Sequence, residues 1–290
     1  MRTRRFPTPR PYSAISREVE TQPTSRAMLR SLPLAVALAM PVAAAPPQRI
    51  VSLNLCADQY LVALADPGQI AGLTRLSHMA NMSPVAARAA RYPAIRSSAE
   101  SLLVREPDLL LTGWPGQADA AVRAGLSARI LVVPPANNYA EIVAQVRLVA
   151  DAVGHRARGE ALIRRMDATL AAIPRNGHGL VATDYQRRGY LSGSGTLMDE
   201  IMRRVGLVNL ATKLGRPALS NLSLEELVIA HPDFLITGGG PARDLGSAMR
   251  DHPAIAGIPR LRLPGALVDC GGPSFPVAVR LLSDQLARKR

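Results

Sequence analysis

Residues 98–113 read SAESLLVREPDLLLTG, and residues 223–238 read SLEELVIAHPDFLITG. The two stretches share eight of sixteen positions at a constant offset of 125, among them Glu100/Glu225, Pro107/Pro232, Asp108/Asp233 and Gly113/Gly238. Each reads as one unit. A serine N-cap is followed by a glutamate in the first turn, where the helix dipole favours an anion. Proline then ends the short helix and biases its predecessor towards extended backbone. The run LLLT or FLIT that follows is a buried strand stopped by glycine. A chain that repeats such a unit contains two related α/β halves.

Working outward, each copy is preceded by another strand and helix. RIVSL at 49–53 leads into DQYLVALA, and LVAT at 180–183 leads into TLMDEIMRRVG. Further strands are expected at 69–74, 129–133 and 260–268. Alternation of strands and helices predicts parallel sheets. Between the halves, residues 139–173 carry helical periodicity with a break at Gly154 and a stop at Pro174, and no flexible tether. The expected architecture is an N-terminal lobe (46–154), a stiff interlobe helix (155–174) and a C-terminal lobe (175–290).

The composition fits a globular chain of 290 residues, 48% hydrophobic and 20% charged. Aromatics amount to 3%, too few for a nucleic-acid stacking platform. Residues 1–45 differ from the rest: seven arginines precede LPLAVALAMPVAAA, the pattern of a secretory signal peptide. Met28 would open a compact signal by itself, and cleavage is expected after Ala44 or Ala45. No lipid-acceptor cysteine lies near that point, so a free product in the periplasm is expected. Without this segment 28 basic and 20 acidic residues remain, and the net charge falls from +13 to +8. The arginines are scattered without a binding motif, which argues against nucleic acid.

The opening RIVSLNLCADQ, the E-x-L-x(4)-P-D-L/F-x-x-T phrase in both halves, the helical linker and GSGTLMDEIMRRVGLVNLA together resemble the substrate-binding proteins of ABC importers for iron complexes and cobalamin. The resemblance covers about residues 48–288. It implies two three-layer α/β lobes of the class III periplasmic-binding type, a monomer, and no enzymatic activity. The cargo implied is a metal chelate, cobalamin or another corrinoid or a ferric siderophore, with haem as the alternative. It further implies that Glu100 and Glu225, matched residue by residue, dock on the membrane permease. Complementing a helix dipole explains one such glutamate, but it explains the pair at equivalent positions of two divergent halves less well, which favours docking; the two roles are compatible.

Ligands of open parallel sheets meet the loops beyond the strands' carboxyl ends. Those loops (54–58, 75–79, 113–117, 134–139, 184–190, 238–242 and 270–275) supply the candidate ligand contacts Asn54, Cys56, His78, Trp114, Tyr139, Tyr185, Arg187, Tyr190, Cys270 and Ser274. Trp114 suits the flat face of a chelate, Arg187 a carboxylate or phosphate, and His78 an axial metal position. The histidines show no metal-binding spacing, so neither a resident metal nor a cofactor is expected. A Cys56–Cys270 disulfide would clamp the lobes across the ligand mouth. Ligand-facing or inert thiols are therefore expected instead. An exported α/β enzyme is the rival class, but there is no nucleophile elbow, and GSGT lacks the lysine of a phosphate loop.

Overall fold

A computed structural model describes residues 45–123, 125–238 and 249–289. The segment expected to be a signal peptide, with the expected start at Met28, and most of the 238–242 loop lie outside these residues. Chain contacts separate Met1–Ala43 from Ala44–Arg290, and the fold below is that of the second unit.

The first lobe runs β1 (Ile50–Ser52), α1 (Leu55–Leu64), β2 (Ile70–Thr74), α2 (Ala86–Ala89), β3 (Ala94–Ile95), α3 (Ala99–Arg105), β4 (Leu109–Thr112), α4 (Asp119–Arg123) and β5 (Arg129–Val132). Its sheet has the order β3-β2-β1-β4-β5, all parallel. Leu109, Leu110 and Leu111 of β4 are fully buried, as a continuous apolar run in a strand covered on both faces requires.

Two helices then cross to the second lobe. The helical run breaks at residues 153–155, where Gly154 takes φ 83°, giving α5 (Tyr139–Ala152) and α6 (Arg156–Ala171). The second lobe runs β6 (Val181–Thr183), β7 (Tyr190–Ser192), α7 (Leu197–Val205), β8 (Val208–Asn209), α8 (Leu210–Lys213), β9 (Leu219–Asn221), α9 (Leu224–Ala230), β10 (Phe234–Thr237), β11 (Arg260–Arg262), α10 (Gly265–Val268) and α11 (Phe275–Arg288). Its main sheet is β11-β10-β6-β8, again parallel. The strand expected over 260–268 stops at Arg262, because Pro264 opens the turn into α10.

The offset of 125 carries through in three dimensions. β4 and β10 match residue for residue, each entered from a left-handed helix cap, Glu106 (φ 43°) or His231 (φ 38°). Asp108 accepts the backbone N–H groups of Gln48 (2.6 Å) and Arg49 (3.0 Å) before β1; Asp233 accepts that of Val181 (2.7 Å) at the start of β6. The repeated Pro-Asp thus pins the start of the neighbouring strand in each lobe, at the end of the sheet away from the loops that could meet a ligand. One element departs from the repeat. β3 joins the first sheet beside β2, whereas its counterpart β9 leaves the second sheet and pairs antiparallel with β7.

Residues of both lobes share one core. Ile50, Tyr60 and Leu109 belong to the same buried cluster as Ala182, Ile201, Leu261 and Phe275, joined through Ile142, Val146 and Ile163 of the crossing helices. Separate smaller clusters lie on the opposite sheet faces, around Val51, Leu102 and Leu110 in the first lobe and Tyr185, Leu227 and Leu235 in the second. Each lobe is therefore layered on both faces of its sheet, and the continuous core makes the interlobe connection stiff.

Candidate functional site: the interlobe cleft

Cys56, in the first turn of α1 just beyond β1, is disulfide-bonded to Cys270, which follows α10 in the second lobe. The bridge overturns the expectation of two separate thiols. It also shows that the carboxyl-end loops of the two sheets meet. The backbone around it explains why the cysteines pair. The Tyr60 hydroxyl donates to the Gly271 carbonyl (2.9 Å), and a Cβ on Gly271 would stand 2.1 Å from the Ala136 carbonyl oxygen. The glycine thus lets residues 270–274 lie directly against the first lobe, so the bridge covalently fastens an interface that packing already closes.

Tyr139, Ser274 and Phe275 belong to this interface. The Tyr139 ring stacks on Phe275 with centroids 5.5 Å apart, Arg204 lies 4.9 Å over it, and its hydroxyl donates to Asp167 (2.6 Å). Ser274 faces Gln59 across the lobes. Other candidates are likewise taken up by the fold. Tyr185 is fully buried and donates to the Leu222 carbonyl (3.3 Å), so it is a core residue rather than a cleft aromatic. Asn54 caps α1, its carboxamide oxygen accepting from Cys56 (2.9 Å) and Ala57 (3.2 Å). Both ring nitrogens of His78 lie against carbonyl oxygens, Thr74 at 3.0 Å and Tyr92 at 3.1 Å, which leaves no lone pair directed at a metal.

What remains exposed at the strand ends is chemically divided between the lobes. The first lobe presents Leu76 and Met79 after β2 and Trp114 after β4, respectively 44%, 45% and 57% exposed. The second presents Gln186, Arg187 and Arg188 on the loop after β6, and Tyr190 at the start of β7. Asp184 holds that loop: its carboxylate accepts from Ser192 N (2.8 Å), Ser192 Oγ (2.6 Å) and Gln186 Nε2 (3.1 Å), and its burial pushes its pKa up. Gly189 (φ 72°) closes the turn under Tyr190, with the Leu222 carbonyl oxygen only 2.4 Å from where a Cβ would stand. Beside it a cavity of about 210 Å³ is lined by Asp184, Gln186, Arg187, Thr237, Arg250 and Asp269. Burial also raises the Asp269 pKa.

Sequence reasoning missed Asp58, which lies on α1 two residues after Cys56. Fully buried on α1, it accepts from the Thr74 backbone (3.1 Å) and hydroxyl, tying the end of β2 to the helix. Burial pushes its pKa up to about 6, against the opposing hydrogen bonds of Ser52, Thr74 and Ser77. The folded protein therefore binds this proton more tightly than the unfolded chain, and the group's contribution to stability falls as pH rises from about 4 to 6. Asp58→Asn cannot ionise. Relative to wild type it should gain stability between pH 4 and pH 7, by up to about 3 kcal/mol, the free energy of raising a carboxyl from about 4 to about 6. Urea melts of both proteins at the two pH values measure this, and a difference independent of pH would refute the burial effect.

Two parallel sheets whose carboxyl-end loops meet at a cross-lobe bridge, joined by helices and a common core, define a two-lobed α/β fold of the class III periplasmic-binding type. The chain matches the family described as periplasmic binding protein over residues 50–261 and belongs to it. Among solved structures it is similar to the periplasmic haem-binding protein RhuT of Roseiflexus sp. RS-1, with 23% identity, TM-score 0.65, and coverage of 83% of this chain and 98% of the other. It also resembles a possible iron-binding periplasmic solute-binding protein of Staphylococcus epidermidis ATCC 12228, at 16% identity and TM-score 0.66, covering 83% and 99%. A third match is the periplasmic vitamin B12 binding protein BtuF of Vibrio cholerae, at 16% identity and TM-score 0.59, covering 84% and 99%. No curated protein matches the chain significantly. Among the described residues no helix is long and apolar enough to cross a membrane, and no group of three or more potential metal ligands occurs.

Proposed function

We propose that this chain is the periplasmic capture component of an ABC importer. It binds a metal chelate between lobes 46–154 and 175–290 and presents it, as a monomer, to a membrane permease through Glu100 and Glu225. The observation that carries the cargo class is the division of the cleft. Leu76, Met79 and Trp114 are exposed apolar groups at strand ends of one lobe, and the other lobe exposes the cationic Arg187 and Arg188 after β6 and Tyr190 at the start of β7. A flat chelate with an apolar face and polar edges matches both walls. Corrinoids and ferric siderophores meet that description, and no catalytic acid–base pair is needed to explain the site. Haem is a second reading favoured by a specific feature: adjacent arginines suit the two carboxylates of a tetrapyrrole edge, and several similar solved structures are described as haem-binding.

Trp114 is the sole tryptophan, so its emission reports on the cleft. Titrating the exported protein with hemin, cyanocobalamin and a ferric siderophore should give saturable quenching with one of them. Trp114→Phe should weaken binding of that cargo, followed by its own absorbance, by roughly tenfold, the loss expected for a buried aromatic anchor. Absence of saturable binding by all three would reject the cargo class, and conversion of a cargo without a transporter would favour the enzyme reading.

A further inference from the structure

Glu100 and Glu225 do not stand alone on their helices. Three and four residues further, on the same helix face, α3 carries Leu103 and Val104 and α9 carries Val228 and Ile229. These four side chains are exposed: 48% and 74% on α3, 40% and 84% on α9. Folding does not require them there, since each seven-residue helix anchors its lobe through one fully buried leucine, Leu102 or Leu227. β-branched residues are also mediocre formers of an exposed helix. Single exposed aliphatics are commonplace. Here the same acid-plus-two-aliphatics pattern occurs twice, at the offset of 125 that relates the lobes.

We propose that Leu103/Val104 and Val228/Ile229 are paired apolar anchors, each seated beside its glutamate in a recess of the permease. This rests on the docking role proposed above and specifies the partner's surface: duplicated, with a basic side chain next to an apolar depression in each half. Charge selects this occupant. An anionic lipid surface would repel Glu100 and Glu225. A second copy of this chain, meeting patch to patch about a two-fold axis, would set acid against acid. Both glutamates are exposed and carry no ion pair among the described residues, so each carboxylate is open to a cationic side chain of a partner.

The test uses the mature protein and proteoliposomes holding the permease through which its cargo enters, with protein-free liposomes of the same lipids as the second arm. Val104→Ser and Ile229→Ser should each weaken association roughly tenfold, and together roughly a hundredfold, if the two patches contribute independently. Cargo quenching of Trp114 should stay at the wild-type level in every variant. If Glu100→Gln/Glu225→Gln abolishes association while the serine variants bind like wild type, docking is by the carboxylates alone and the anchor proposal fails. If all variants associate normally, both the anchors and the docking role of these helices fall, and cargo capture stands. Equal binding to protein-free liposomes, or self-association lost in the serine variants, overturns the choice of partner.

Discussion

Replacing Cys56 and Cys270 together by alanine should lower the unfolding free energy by about 5 kcal/mol, the largest stability effect expected of any side-chain pair here. The two cysteines are 214 residues apart, so the bridge removes a long loop from the unfolded ensemble, and the chain-entropy estimate for such a loop is about 5 kcal/mol. Reduced wild-type protein should melt at the temperature of the double variant, roughly 10–15 °C below the oxidised form. The lobes should nevertheless stay together, because the core through Tyr60, Ile142, Ile163 and Phe275 and the Tyr139–Phe275 stack do not depend on the sulfur atoms. Thermal melts with and without reductant decide it. Superimposable curves would mean the bridge constrains nothing that packing does not, and separate unfolding of two lobes would mean the common core has been overrated.

Glu100→Ala combined with Glu225→Ala should abolish cargo uptake in cells while leaving cargo affinity unchanged. Both side chains are exposed, and the N-cap bonds of their helices come from other residues: Ser98 accepts from Ser101 (3.3 Å) and Ser223 from Glu226 (3.1 Å). The cost to folding is therefore confined to the lost dipole interaction, about 0.3–1 kcal/mol per helix. A transport defect in a stable, cargo-binding variant separates docking from capping. Uptake at the wild-type rate in the double variant would reduce both glutamates to capping residues.

The repeat at 98–113 and 223–238 made the architecture legible, because the lobes are built from local units whose capping, proline and apolar-run signals are written within sixteen residues. β4 and β10 fall where LLLT and FLIT stand, and Ser98 and Ser223 are the caps. The cleft was only partly legible. Trp114 and Arg187 are exposed beyond strand ends, whereas Tyr190, expected in a loop, begins strand β7 and is exposed there. Tyr139, Tyr185, His78 and Ser274 follow strands as well, but their side chains are occupied by partners 14 to 215 residues away that no local pattern reveals. The disulfide was misjudged for the same reason. Nothing near Cys56 says that Gly271 and Gly272 let a distant loop lie against α1. Strands β3, β7 and β9 escaped the reading because each is only two or three residues long, too short for a period-2 pattern, and their pairing is set by tertiary neighbours.

The Cys56–Cys270 bridge also orders events during biogenesis. It closes residues 56–270 into a covalent ring that spans both lobes. In a chain exported amino end first, Cys56 must wait for its partner until the 214 residues up to Cys270 have followed it. With only two cysteines, no wrong intramolecular pairing competes, and the hazard during that wait is coupling to another molecule. The bridge can therefore close only after the segments between the two cysteines, which build most of both lobes, have emerged on the same side.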